Sequence, residues 1–296
     1  MSGSGTAVSG PVVEPQVPVS VGRGRERLRF LLLGPLSVVR EGRPCTPSAV
    51  KRRALLALLL FSANRQVAAG ELVEELWDSR PPKSALATLQ MYISGLRRTL
   101  DPAHSAARRA PRSHPRLTTD GATYRLRVRP GELDLERFRL LAATGRRLVG
   151  EGQCGPANRA FHEALALYQG RPLADLAAAG LLTARVTRLA EERLAVEQDF
   201  YDTVLCLGLG PRIIGELTER SARHPLREAS HEQLMLALCQ AGRRAEALAG
   251  YASARRVIVR EIGVEPGPAL REAQAVALSD RAVALARHPR CRPAAG

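Results

Sequence analysis

Apolar residues recur along this chain with two periods, and the change from one to the other divides it. Leu28 to Leu33, Leu36 to Arg40 and Arg43 to Thr46 read as three short strands, with turns at Gly34-Pro35 and Glu41-Gly42. A helical period follows. Thr46-Pro47 has the form of a helix start, a Thr cap before a Pro, and the helix runs to about Ser62 with Leu55, Leu58, Leu59 and Phe61 inward. A second helix covers roughly 68–77 with Leu72, Val73 and Leu76 inward and Trp77 as an anchor at its end. A third runs from about Pro82 to Leu100. Arg116 to Thr119 and Thr123 to Val128 then alternate around Asp120-Gly121, a hairpin signal.

Three strands, three helices and a hairpin are the layout of a winged helix-turn-helix. From Asp134 the pattern stays helical, with segments near 134–149, 155–169, 183–207, 211–223, 226–240, 243–261 and 267–286, punctuated by Gly and Pro. Paired helices of this length predict stacked hairpins of tetratricopeptide type. The expected fold class is therefore mainly α. A winged helix-turn-helix over 27–130 precedes an all-α tetratricopeptide-like domain over 131–286, each with its own core. Residues 1–26 and 287–296 are expected to be disordered tails.

On the third helix, Leu89, Ile93, Leu96 and Leu100 fall within about 60° of one another and form the core stripe. Ala87, Met91, Ser94 and Arg98 occupy the opposite face, flanked by Lys83, Ser84, Gln90 and Arg97. A helix enters the major groove only if its leading face is slim, which Ala87, Ser94 and Gly95 satisfy. Gln90 suits adenine, Arg97 or Arg98 suits guanine or phosphate, and Thr88 suits a phosphate near the helix N-terminus. Lys51, Arg52 and Arg53 crowd the first turn of the first helix, where cations oppose the helix dipole, so a phosphate is expected there. In the hairpin, Arg116, Thr118, Thr119, Arg125 and Arg127 are candidate backbone or minor-groove contacts, while Tyr124 reads as wing core.

Charge strengthens this reading. Residues 1–130 hold 21 Lys and Arg against 9 Asp and Glu, a net of +12. The remaining residues hold 23 against 20, a net of +3. That asymmetry is the footprint of a polyanion binder joined to a near-neutral partner domain. It would also suit a helical scaffold whose basic half grips an acidic protein or RNA without sequence preference. The slim face of the third helix discriminates the two, because a general polyanion binder does not need it.

No catalytic or metal-ligating constellation stands out, and neither an enzyme nor a cofactor is expected. The five Cys are scattered without CxxC spacing and read as reduced thiols. Lys83-Ser84, the only Lys-Ser/Thr pair, follows Pro82 rather than Gly, which excludes a Walker A loop. His224 reads as a structural cap, and Glu74-Glu75 and Glu191-Glu192 as solvated helix faces. No run of apolar residues reaches membrane-spanning length, and no signal peptide is read. A cytoplasmic protein with no membrane partner is expected.

Several stretches carry a family resemblance: "KRRALLALLL", "ELVEELW", "PPKSALATLQMYISGLRRTL" and "YRLRV" in the first half. In the second half they are "GRRLVGEG", "ALALYQGRPLADL", "HPLRE" and "LMLALCQAGRRAEALAGYASARRVIVREIGVEPGPAL". The first half resembles response-regulator effector domains and, more closely, the Streptomyces antibiotic regulatory proteins. The second half resembles that family's bacterial transcriptional activation domain. Together the matches span about residues 28–286. The resemblance implies an activator of an antibiotic biosynthetic gene cluster that binds direct repeats in double-stranded DNA head to tail, dimerises there and helps recruit RNA polymerase holoenzyme. The residues themselves leave activation and repression open. Two departures stand out: "GATYRL" replaces the usual Gly-Tyr of the wing, and "LGLGPRIIGEL" lacks the usual basic-polar turn. No receiver domain is read upstream, so phospho-Asp switching within the chain is not expected.

Overall fold

The computed structural model describes residues 28–77, 80–102, 114–178 and 181–279. The expected tails, most of the loop at 101–115 and the end of the last helix lie outside them. The chain opens with an antiparallel sheet of β1 (Leu28–Leu31), β2 (Ser37–Arg40) and β3 (Arg43–Pro44), in which Leu28 faces Arg40 and Val39 faces Pro44. Helices α1 (Val50–Phe61), α2 (Ala69–Trp77) and α3 (Ala85–Leu100) follow. The wing is β5 (Leu117–Asp120) with β6 (Thr123–Leu126). Gly121 makes its turn at a φ of 55°, in the left-handed region that a residue without Cβ adopts freely.

Two local expectations are corrected. Thr46 does not cap α1. Its hydroxyl accepts the Val38 amide at 2.9 Å and so closes the first sheet, and the helix begins at Val50 with no side-chain cap. A third strand, β4 (Val67–Ala68), joins the wing sheet by pairing Val67 with Tyr124 and Ala68 with Thr123. Two residues carry too little alternation to announce a strand. Asn64, at positive φ, clamps the base of the wing by exchanging two 3.0 Å hydrogen bonds with the Val128 backbone.

The helical half begins with α4 (Asp134–Gly150) and α5 (Cys154–Leu165), packed so closely that a Cβ on Gly145 would lie 2.5 Å from the Phe161 ring. A short α6 (Ala174–Ala178) leads to the 24-residue α7 (Thr183–Cys206). A 3-10 turn at Gly210–Ile213 then opens α8 (Ile214–Arg223), α9 (Glu228–Gln240), α10 (Arg244–Ile262) and α11 (Pro268–Leu278). Within the "LGLGPRIIGEL" stretch, the Gly210 amide donates to Gln240 Oε1 at 2.9 Å, and a Cβ there would meet that oxygen at 2.5 Å. His224 takes the C-cap position of α8, and burial, with Arg220, Arg227 and Arg223 around it, holds its imidazole below its ordinary pKa.

The hydrophobic core does not divide at residue 131. One buried cluster runs from Leu28 through α1, α2, α3 and the wing into Leu135, Phe138, Phe161, Leu189 and Val196. A second comprises Val204 to Ala277. Helix α7 spans both. The sharing explains α1, in which seven consecutive residues, Ala54 to Leu60, are buried. A helix apolar on all sides belongs to the interior of a larger body.

Polar contacts fix the same junction. The Phe30 amide donates to the Glu132 carbonyl at 2.7 Å. The Leu32 and Leu33 amides both donate to the Asp134 carboxylate, at 2.9 and 3.0 Å. The Gln169 amide donates to Leu33 O at 2.8 Å and the Leu173 amide to Gly34 O at 2.7 Å. Gly34 is required here because a Cβ would stand 2.7 Å from the Gln169 carbonyl oxygen. Of the two carboxylate stretches, Glu74 and Glu191 are exposed as expected, while Glu75 pairs with Arg185 and Glu192 with Arg139, which tie elements together; Glu191 also pairs with Arg227.

Burial pushes the Asp134 carboxyl above its ordinary pKa, against the pull of the Leu33, Leu32 and Leu135 amides. Asp134→Ala would leave the amides of fully buried Leu32 and Leu33 unpaired, at about 1–3 kcal/mol each. Denaturant unfolding should show a loss of about 3 kcal/mol at pH 7. Because the folded pKa is raised, the carboxyl's contribution is complete below its unfolded pKa and declines as pH rises through the folded value. The wild type's advantage over Asp134→Ala should therefore widen as the pH is lowered from 7 to about 4. A narrowing gap would show that the ionised form is the one favoured by folding.

Candidate nucleic-acid interface

Helix α3 is fixed from behind. Ala85, Leu89, Ile93, Leu96 and Leu100 are buried, and Tyr92 stacks on Trp77 with ring centroids 6.3 Å apart and planes 6° from parallel. Its opposite face is open. Lys83, Ser84, Ala87, Gln90, Met91, Ser94 and Arg98 are exposed, and Thr88 is half-buried. The first turn holds no acidic side chain, and Ser84 at the N-cap makes no side-chain cap. The Ala85 amide donates to Pro82 O at 2.9 Å, but the positive end of the helix has no side-chain cap beside Lys83, an arrangement suited to a phosphate.

Sequence reading missed Leu86, which is 57% exposed on the flank of this face; with Met91 at 56% it offers apolar surface where a thymine methyl can pack. At 100° per residue Leu86 falls only about 20° from Ile93, so the helical period gives no signal of its exposure.

Gly95 does not belong to the open face. It is buried, and a Cβ there would meet the Arg52 guanidinium at 3.0 Å. Arg52 therefore lies along the side of α3, its Nε buried without a hydrogen-bond partner. The rest of the basic turn of α1 points elsewhere. Arg53 pairs with Asp175 of α6 at 3.2 Å, and the Lys51 ammonium sits over the Trp77 ring at 4.6 Å. Lys51 also lines an open cleft of about 700 Å³ between α2 and the start of α7, with Glu74, Trp77, Arg80 and Leu182. All three cations of this turn are half-buried and make contacts within the protein.

The two arginines at the end of α3 separate in the same way. Arg97 is half-buried, donating to Leu117 O at 3.0 Å and to Thr119 Oγ1 at 2.5 Å. Burial lowers its pKa from the ordinary arginine value, and the Tyr124 hydroxyl beside it is raised by burial in turn. Arg97 holds the wing against α3, while Arg98 faces outward. His114 completes that joint. It is buried, its Nδ1 accepts the Arg116 and Leu117 amides at 3.2 and 2.9 Å, and its Nε2 lies 3.3 Å from Arg97 O. An isolated His in a loop gives no sequence signal of this role.

In the wing, Arg116 is removed from the candidate surface. It is 7% exposed and forms a two-pronged pair with Glu132 at 2.7 and 2.9 Å. Tyr124 is buried as wing core. Thr118, Thr119 and Arg125 are half-buried, with Thr119 engaged by Arg97, and Arg127 is exposed. The surface that remains is the outer face of α3, framed by Lys83, Arg98 and the free side of the wing. Among the described residues no three His, Cys, Asp or Glu side chains gather as a metal site requires, and no helix is long and apolar enough to cross a membrane.

Comparison with known proteins matches both halves. Residues 46–110 match the family described as transcriptional regulatory protein, C terminal, and residues 133–278 match the bacterial transcriptional activator domain. The regulatory protein DnrI of Streptomyces peucetius is 37% identical over 83% of this chain and 90% of its own length. The regulatory protein AfsR of Streptomyces coelicolor is 39% identical over 83% of this chain, which spans only 24% of that relative. Among solved structures, Mycobacterium tuberculosis EmbR in complex with a low-affinity phosphopeptide superposes with a TM-score of 0.79 at 29% identity, covering 90% of this chain and 69% of that one. With both domains matched in this order, and DnrI matched over nearly all of its length, the chain belongs to the Streptomyces antibiotic regulatory protein family of transcriptional regulators.

Proposed function

We propose that this chain activates an antibiotic or other secondary-metabolite gene cluster by reading direct repeats near promoters with the outer face of α3. The observation that carries the reading is that face itself: Ala87 and Ser94 keep it slim, Gln90 and Arg98 supply base-edge chemistry, and Lys83 stands at an uncapped helix N-terminus. Ser84 and Thr88 are placed for phosphate, and Met91 and Leu86 for a thymine methyl. Arg125 and Arg127 reach the adjacent backbone from the wing. Two copies bind head to tail on successive repeats, and the helical half contacts RNA polymerase holoenzyme. The family relationship and the similarity to DnrI and AfsR support activation.

The experiment is a footprint of the purified protein on promoters of its neighbouring genes at two salt concentrations. Spaced direct repeats protected at both concentrations in the presence of random DNA are the expected result. Uniform, salt-sensitive coating with no preferred site would favour the scaffold reading.

Single substitutions separate the arginines. Arg98→Ala should weaken specific binding by about 10- to 100-fold while stability stays within about 0.5 kcal/mol. Arg97→Ala should cost about 1–2 kcal/mol of stability through the lost wing contacts. Arg53→Ala should leave DNA affinity unchanged, since its partner is Asp175. Titration of binding in salt, together with unfolding curves of the three variants, checks all of this. Equal loss of affinity in Arg53→Ala and Arg98→Ala would place the phosphate contact back at α1.

A further inference from the structure

We propose that Cys154 and Cys206 form a reversible dithiol–disulfide pair that clamps the junction between the two hydrophobic cores, a modification site independent of the DNA-reading surface. Their sulfurs lie 2.6 Å apart, 52 residues apart in sequence, and both are thiols in this structure. A disulfide needs about 2.05 Å, so closure takes a shift of about half an ångström.

The approach is set by the packing of two antiparallel helices. Cys154 is the first residue of α5 and Cys206 the last of α7. One turn further in, Asn158 Nδ2 donates to Thr203 Oγ1 at 2.9 Å, and Thr203 donates onward to Phe200 O at 2.6 Å. A turn beyond that, the His162 and Phe200 rings meet with centroids 6.2 Å apart. Positions 154, 158 and 162 thus face 206, 203 and 200 in a continuous register, with Thr203 fully buried between the outer rungs. The thiol pair is the end rung of that ladder. By contrast, Cys239 lies inside the second core and Cys45 at the edge of the first.

The location gives the pair its consequence. Val196 is the last buried residue of the first core, and Val204 opens the second. Cys206 sits where α7 leaves one for the other, so a bond to α5 fixes the junction. The half-exposed Cys206 is the one a hydroperoxide meets; Cys154 is buried. The Cys206 sulfur attacks the peroxide oxygen, becoming a sulfenic acid and releasing water. The Cys154 sulfur then attacks that sulfur and displaces a second water. Two thiols and one hydrogen peroxide give one disulfide and two waters, and a dithiol reductant reverses the change.

The test uses the full chain treated with hydrogen peroxide and then with dithiothreitol. Peptide mapping by mass spectrometry should find Cys154 joined to Cys206, a mass lower by two hydrogens, and full reversal. The oxidised protein should melt about 5 °C higher, and exchange of backbone amides across 204–213 should slow. Cys206→Ser should abolish the cross-link, and Cys45→Ser should keep it. A folded wild type in which both thiols remain open to alkylation after peroxide overturns the proposal without reliance on any variant. So does a cross-link to another cysteine, or oxidation to sulfinic acid. A cross-linked protein with an unchanged melting curve overturns the clamp.

Discussion

The Asp134 carboxylate, accepting the Leu32 and Leu33 amides while it opens α4, is the contact on which the two halves of the chain depend. Amides at the end of a short strand have no partner within their own sheet once the strand stops. The carboxyl oxygens of Asp134, at the start of a helix, satisfy them. Around it the backbone of Phe30 bonds to Glu132, Gly34 receives the chain leaving α5, and Arg116 grips Glu132 from the wing side. The DNA-side sheet is therefore built into the first helical layer. The orientation of α3 and the wing relative to the helical half follows from this junction.

The same constraint redistributes the positive charge. A basic cluster beside a helix start reads from sequence as a phosphate grip, yet once α1 is enclosed on all sides its first turn faces α6 and Trp77. Arg116 and Arg97 are drawn into joints that hold the wing. Among the described residues, Lys83, Arg98 and Arg127 remain exposed. The positive field of residues 1–130 survives, but Arg53, Arg97 and Arg116 are engaged by contacts within the protein.

The period of apolar positions was enough to place the three helices, the wing and the helical hairpins within a few residues, because each face it marks meets a neighbour at fixed spacing. Leu89, Ile93 and Leu96 are buried as the helical period requires. What the period could not convey was who the neighbours are. Ala54 to Leu60 is apolar on every side, and only the second half of the chain explains why. Thr46 met the local rule for a cap, but a strand amide nearby took its hydroxyl. Gly95 passed as a slim outward residue because spacing alone does not reveal that Arg52 lies across it. His114 and Asn64 act through backbone contacts that reach 17 and 64 positions along the chain, which no local pattern encodes.

Native-state hydrogen exchange of the full chain, followed amide by amide, tests most directly whether the DNA-side domain and the first helical layer are one cooperative body. The shared core and the Asp134 junction predict that the slowest amides of β1, α1, α3 and α4 open together with a single free energy and the same denaturant dependence. Amides of α1 and α3 that exchange through a separate, lower-energy opening while α4 stays protected would contradict it.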